Sequence, residues 1–262
     1  ETKTGNMKKG LKVLFITALA VVSAAAALDF GWKVGEEGVQ VSGTAFDSAL
    51  CSRIEQITET YAIVPVKEEV QLPSFYDYRE NGRSVPVRDQ GQYGTCWAFA
   101  ALTALETSLM PENQYDFSRD HLNFHNAYQM ETEEGGSYIL SVSYLTSWGG
   151  PVLEEEDPYG DNISPDGLQP VLHVQEVRMP GDRDFEAIKQ TVYLYGGVES
   201  SLYMDLSDPR QDSVYYNREN ASYCYTGENL PNHDVVIIGW DDDYPAESFN
   251  EQPEGDGAFI CQ

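Results

Sequence analysis

Apolar residues recur at helical spacing after position 96: Ala98, Ala101, Leu102, Leu105 and Leu109 follow one another every one to four positions on one stripe, with no proline before Pro111. The spacing predicts a helix that opens at Cys96, directly after the turn-forming stretch Gln90-Gly91-Gln92-Tyr93-Gly94-Thr95. A different pattern runs through Val235-Val236-Ile237-Ile238, which is apolar and β-branched and stops at Gly239. It predicts a buried strand with His233 at its start. Residues 118–148 read as further helix, interrupted at Gly135-Gly136. From about Val171 the pattern turns toward strands, with a helical exception over 184–195.

Chemistry enters at the ends of these elements. A cysteine in the first turn of a helix faces exposed N–H groups and the positive end of the helix dipole, which favour an anion and so lower a thiol's pKa. A nucleophile needs that property, although a free cysteine is as often a small buried residue with no chemistry. A histidine that opens a buried strand is more often structural than catalytic. Paired with an activated cysteine, it becomes a general base, because its ordinary pKa lies near neutrality. His233 follows Cys96 by 137 residues.

These residues belong to a longer ordered series. The chain resembles the papain-like cysteine peptidases from Leu72 to Gln262. The resemblance runs through Leu72-Pro73-Ser74-Phe75-Tyr76-Asp77-Tyr78-Arg79, Val85-Pro86-Val87-Arg88-Asp89-Gln90-Gly91, Tyr93-Gly94-Thr95-Cys96-Trp97 and Ser118-Arg119-Asp120-His121-Leu122. It continues through Glu134-Gly135-Gly136-Ser137, Asp157-Pro158-Tyr159, Gly196-Gly197-Val198 and His233-Asp234-Val235-Val236. The Cys–His separation also suits that signature, which spans roughly 130–150 residues. The resemblance implies an α+β, two-lobed fold, with a helical lobe around the central active-site helix, a β-barrel-like second lobe and the site between them. It implies Cys96 as nucleophile, His233 as its acid–base partner and Gln90, six residues before the nucleophile, as an oxyanion donor together with the Cys96 N–H. Gly135 and Gly136 are implied to bind the substrate backbone as a plain edge, the alternative being an ordinary turn.

The chain departs from the family pattern at three points. Tyr93 stands where most members have a disulfide-forming cysteine, so that bridge is not expected. Asp234 replaces a small residue; it either raises the His233 pKa by proximity or points to solvent with little effect. Gly257-Ala258-Phe259-Ile260-Cys261-Gln262 resembles the strand before the family's orienting asparagine, which would come next. Residues 72–262 are therefore expected to form a peptidase domain lacking its last part, weakly active or inactive by itself. The polar segment Tyr244–Asp256 either shapes the cleft or is a passive loop.

The first part of the chain sets compartment and boundaries. Residues 1–6 read as a tag or upstream residues. Met7 to Ala27, with a basic start and an apolar run ending in four alanines, reads as a secretory signal of bacterial style. Residues 28–71 read as a propeptide or an extension, and 72–262 as the peptidase domain. The expected location is secreted, extracellular or cell-surface, without a membrane span beyond the signal. The pairing of Cys51, Cys224 and Cys261 stays open, since reserving Cys96 leaves an odd number. No metal or cofactor signature is present. The net charge of −27 argues against nucleic acid and anionic membranes as partners. The acidic runs 131–134, 154–157 and 241–243 read as solvated loops.

The function the resemblance implies is a secreted cysteine endopeptidase that hydrolyses peptide or protein substrates through a Cys96–His233 thiolate–imidazolium pair and an acyl-enzyme. The alternatives are a non-catalytic binding protein on a peptidase scaffold, or another thiol acyl-transfer enzyme. The His233-Asp234-Val235-Val236 and Gly239-Trp240-Asp241-Asp242 pattern is similar to a bacterial subgroup that carries a lectin-like domain.

Overall fold

The computed structural model describes residues 70–128, 135–181, 183–205 and 213–262, and the main chain of three short strands, β1 (Phe15–Thr17), β2 (Gly31–Gly35) and β3 (Gly38–Ser42). Apart from those strands and residues 70–71, the expected leader and extension lie outside the described residues, as do Cys51 and the run 131–134. Among the described residues no helix is long and apolar enough to cross a membrane.

The helix predicted from the apolar stripe is α1 (Cys96–Leu109). It is buried on nearly every side, as a helix through the middle of a molecule must be. One side of it packs Trp97, Ala98, Leu102, Leu105 and Leu109 against Phe117, Leu122, Leu140 and Leu145. Those partners come from α2 (Arg119–His125), α3 (Tyr138–Thr146) and the segment before α2. The other side carries the small residues Ala100, Thr103, Ala104 and Thr107, which let a sheet approach closely. Ala104 packs with Val198, Val236, Ile238 and Trp240, and the Gly197 N–H donates to Thr107 Oγ1 at 2.8 Å.

The sheet is organised on one long strand, β9 (His233–Asp241), which begins two residues before the apolar run. Its first half pairs with β6 (Val198–Leu202) and its second half with β4 (Phe75–Asp77). Its other edge pairs with β10 (Ala258–Cys261), and every ladder is antiparallel. Helix α4 (Phe185–Leu194) covers the sheet through Ile188 and Val192. Its first turn is capped by Asp184, which accepts from the Ala187 N–H at 3.0 Å. A short strand β5 (Glu176–Arg178) pairs in parallel with β1, and β7 (Tyr216–Asn217) pairs with β8 (Ser222–Tyr223).

The α+β architecture matches the expectation, with one correction to the second lobe. Among the described residues the four-stranded sheet stays open and closes no barrel, because β7 and β8 pair only with each other. The stretch 118–148 resolves into two helices; Ser118 starts the first by accepting the His121 N–H at 2.9 Å. The acidic run 154–157 is not wholly solvated either, since Asp157 is buried and accepts a hydrogen bond from Ser164 at 2.5 Å.

A buried ion pair ties the helical lobe together. Glu106, in the middle of α1, accepts two hydrogen bonds from the Arg119 guanidinium at 2.9 and 3.0 Å. It also accepts the Phe117 N–H at 3.0 Å and faces Arg88 at 3.3 Å. Both side chains of the Glu106–Arg119 pair are 0% exposed. Removing one member of such a pair leaves an uncompensated buried charge, which costs about 3–5 kcal/mol. Glu106→Ala is therefore expected to lower the thermal midpoint by many degrees in calorimetry, whereas an unchanged midpoint contradicts the anchoring role.

Candidate active site

Cys96 is the first residue of α1, and its position follows from how the helix begins. The Thr95 carbonyl accepts the Ala98 and Phe99 N–H groups at 2.9 and 3.2 Å. The Thr95 hydroxyl, buried, does not cap the helix; it meets the Tyr159 hydroxyl at 2.6 Å. Tyr159 Oη also donates to the Gln90 carbonyl at 2.8 Å, so one side chain clasps both ends of the loop 90–95. The Tyr159 ring lies edge-on to Phe99, with centroids 4.8 Å apart, and its own N–H donates to Glu154 at 2.8 Å.

The segment ahead of this loop is pinned as well. Arg88 reaches Glu106 and, at 2.6 Å, Asp116. The Gln262 side chain, directly after β10, donates to the Pro86 carbonyl at 3.2 Å. The loop is thus fastened to α1, to the helical lobe and to the end of the sheet.

Across from the helix terminus, β9 delivers His233. Cys96, His233 and Gln90 line one open pocket, together with Val87, Arg88, Phe99, Asp234 and Gln262. Gly135 and Gly136 are not in that lining. Gly135 holds a φ of +77°, and a side chain on Gly136 would collide with the Trp97 indole at 2.4 Å. Gly136 therefore sits against the residue following the cysteine, and Gly135 lies near the Gly94 carbonyl. The segment 244–256 is also away from this pocket: Asn250 donates to the Tyr216 carbonyl at 2.8 Å and Ser222 to the Ser248 carbonyl at 2.6 Å.

The electrostatics differ from the reading of the helix terminus alone. Burial pushes the half-buried Cys96 thiol up, and the negative charge of Asp234 pushes it further. The N–H groups of Asp234 and Trp97 oppose this without overcoming it. Burial pulls the His233 imidazole down. Asp234 neither points to solvent nor acts chiefly on His233; its carboxylate turns inward to accept the Ser201 hydroxyl. The Gln90 amide donates to the Tyr93 carbonyl at 2.7 Å.

Tyr159, Thr95 and Asp234 all stand in stretches singled out by sequence, but their contacts were not legible there. Glu106 and Glu199 were not singled out, and an acid inside an apolar run was the available signal. Among the described residues no cluster of histidine, cysteine and acids is arranged to hold a metal ion, and Cys96, Cys224 and Cys261 are free thiols.

A cysteine at a helix terminus, facing a strand-borne histidine across the junction of a helical lobe and a sheet, is the constellation of the thiol hydrolases. The model of the papain family cysteine proteases matches residues 72–251, well over half of the chain, and the protein belongs to that family. It is 26% identical over 183 residues to the viral cathepsin of Heliothis zea nuclear polyhedrosis virus, covering 68% of this chain and 47% of that protein. It is 27% identical over 235 residues to procathepsin L of Rattus norvegicus, covering 79% and 64%. Among solved structures it is similar to the cysteine protease and lectin-like domains of Cwp84, a surface layer associated protein of Clostridium difficile. That likeness has a TM-score of 0.60 at 25% identity and covers 83% of this chain and 52% of that one. The chain thus spans between about half and two thirds of the length of these relatives.

The thiol's environment makes a pH-dependent prediction. An anion beside a thiol disfavours the thiolate, so removing it eases ionisation. Asp234→Asn is expected to move the midpoint of Cys96 alkylation by iodoacetamide to lower pH; a midpoint that stays put or rises contradicts the role given to Asp234.

Proposed function

We propose that this protein is a secreted cysteine endopeptidase that cleaves peptide bonds through an acyl-enzyme. The observation that carries the reading is the convergence of Cys96, His233 and Gln90 on one pocket between the helix terminus and the sheet. Family membership supports the same chemistry.

In this reading the Cys96 sulfur attacks the substrate carbonyl carbon while its proton passes to His233. The carbonyl oxygen becomes an oxyanion, held by the Cys96 N–H and by the Gln90 amide. One Gln90 amide hydrogen is engaged by Tyr93, and the second remains for this purpose. His233 then protonates the departing amine, the C–N bond breaks, and the acyl group stays on sulfur. Water, activated by His233, hydrolyses the thioester and restores the thiol. Transfer of the thiol proton to His233 gives the thiolate–imidazolium pair that the attack requires. The Gln262 N–H and carbonyl pair with Val236, so the β10 register runs toward Val235 and His233, where an orienting partner for the imidazole belongs.

The Gly135-Gly136 edge, whose Gly136 packs against the Trp97 indole, is assigned to the substrate backbone in an extended form. Secretion rests on the leader pattern at 7–27. A lectin-like domain, as in Cwp84, is a feature proposed for the whole protein and not for these residues.

The test is turnover of a mixed peptide substrate by the full-length protein. Cys96→Ala is expected to remove turnover, and His233→Ala to lower kcat by about 10²–10⁴-fold. Turnover that survives Cys96→Ala overturns the reading.

A further inference from the structure

Two carboxyl groups beside the pocket lack a cation. Glu199 is 1% exposed, and neither of its oxygens has a hydrogen-bond partner among the described residues. Asp234 lines the pocket and has the Ser201 hydroxyl as its donor. The β6–β9 register groups them. Ser201 lies opposite Asp234 and Glu199 opposite Val236, so Glu199, Ser201 and Asp234 share one face of the sheet.

The surroundings locate that face at the junction of the lobes. The Glu199 carboxyl acts electrostatically on Tyr138, at the start of α3, and on Cys96, and Asp234 acts in turn on Glu199. Tyr138 follows the Gly135-Gly136 edge by two residues. Asp234 lines the same pocket as Cys96 and His233, so a substrate side chain near the scissile bond can reach it.

Nearby basic groups are committed elsewhere. Arg88, which also lines the pocket, holds Glu106 and Asp116; Arg119 holds Glu106, and Lys189 holds Asp242. Burial raises both carboxyls above the ordinary carboxylate range, Glu199 the more strongly, and a cation brought to Asp234, which lines the pocket, favours its ionised form. A metal ion is the weaker fit, because no third ligand of metal type joins Asp234 and Glu199. The net charge of −27 adds a long-range pull on basic substrates.

We propose that Asp234, backed by Glu199 and Ser201, forms a cation-accepting recess that selects substrates carrying lysine or arginine at one position near the scissile bond. This rests on the peptidase reading above and gives it a substrate class.

A positional-scanning peptide library, offered to the full-length protein, tests it, with iodoacetamide labelling of Cys96 run in parallel. Lysine or arginine is expected to exceed leucine at one position by about tenfold or more in kcat/KM. Asp234→Asn is expected to bring that ratio close to one. Glu199→Gln, which keeps the side chain's shape in its buried site, is expected to lower the ratio in the same direction. Equal turnover of the three, or a basic preference that survives both substitutions, overturns the recess and leaves the peptidase reading standing. No hydrolysis of any peptide together with no labelling of Cys96 overturns both.

Discussion

The buried Glu106 carboxylate is the constraint from which the rest of the site follows. It sits in the middle of α1, yet its partners come from three other points of the chain: Arg119, the Phe117 N–H and Arg88. Arg119 fixes α2 against α1, and Arg88 fixes the segment that leads into the loop 90–95. A charge this deep is tolerated only with its donors in position, so the network favours a single arrangement of helix and loop. The height of Cys96 relative to the sheet is therefore set well away from Cys96 itself.

The second half of the site depends on β9. Its first half pairs with β6, its second half with β4, and β10 closes its other edge. A strand paired on both edges has little freedom to slide, and a slip of one residue would turn His233 to the opposite face. The small residues of α1 then bring this strand close to the helix. Closeness has an electrostatic consequence: Cys96 and His233 are both partly desolvated, and Asp234 adds a negative charge.

Much of this was legible in the sequence where a local rule decides. The α1 stripe and the β-branched run of β9 appear as periodicity, and Asp184 marks the start of α4. The three-residue strand β4 escaped, because so short a run exists as a strand only through its pairing with Gly239, Trp240 and Asp241. Cys96 and His233 stood out by their position at element ends, and Gln90 only through the family resemblance. Other features required the tertiary structure. Glu106 looks like a surface residue until Arg119, thirteen positions later, is seen beside it. The inward turn of Asp234 depends on Ser201, which only the β6–β9 register brings opposite. The Cys96 thiol is pushed up, not down, first by its burial and then by Asp234, and a helix terminus judged alone shows neither.

The central claim is that Cys96 acts as a nucleophile because His233 faces it. Treatment with a peptidyl epoxide, followed by mass mapping of every cysteine, tests this directly. The account predicts an adduct on Cys96 alone, formed in the native protein and lost in His233→Ala. An adduct on Cys224 or Cys261 in its stead, or one on Cys96 that forms equally fast without the imidazole, would contradict it.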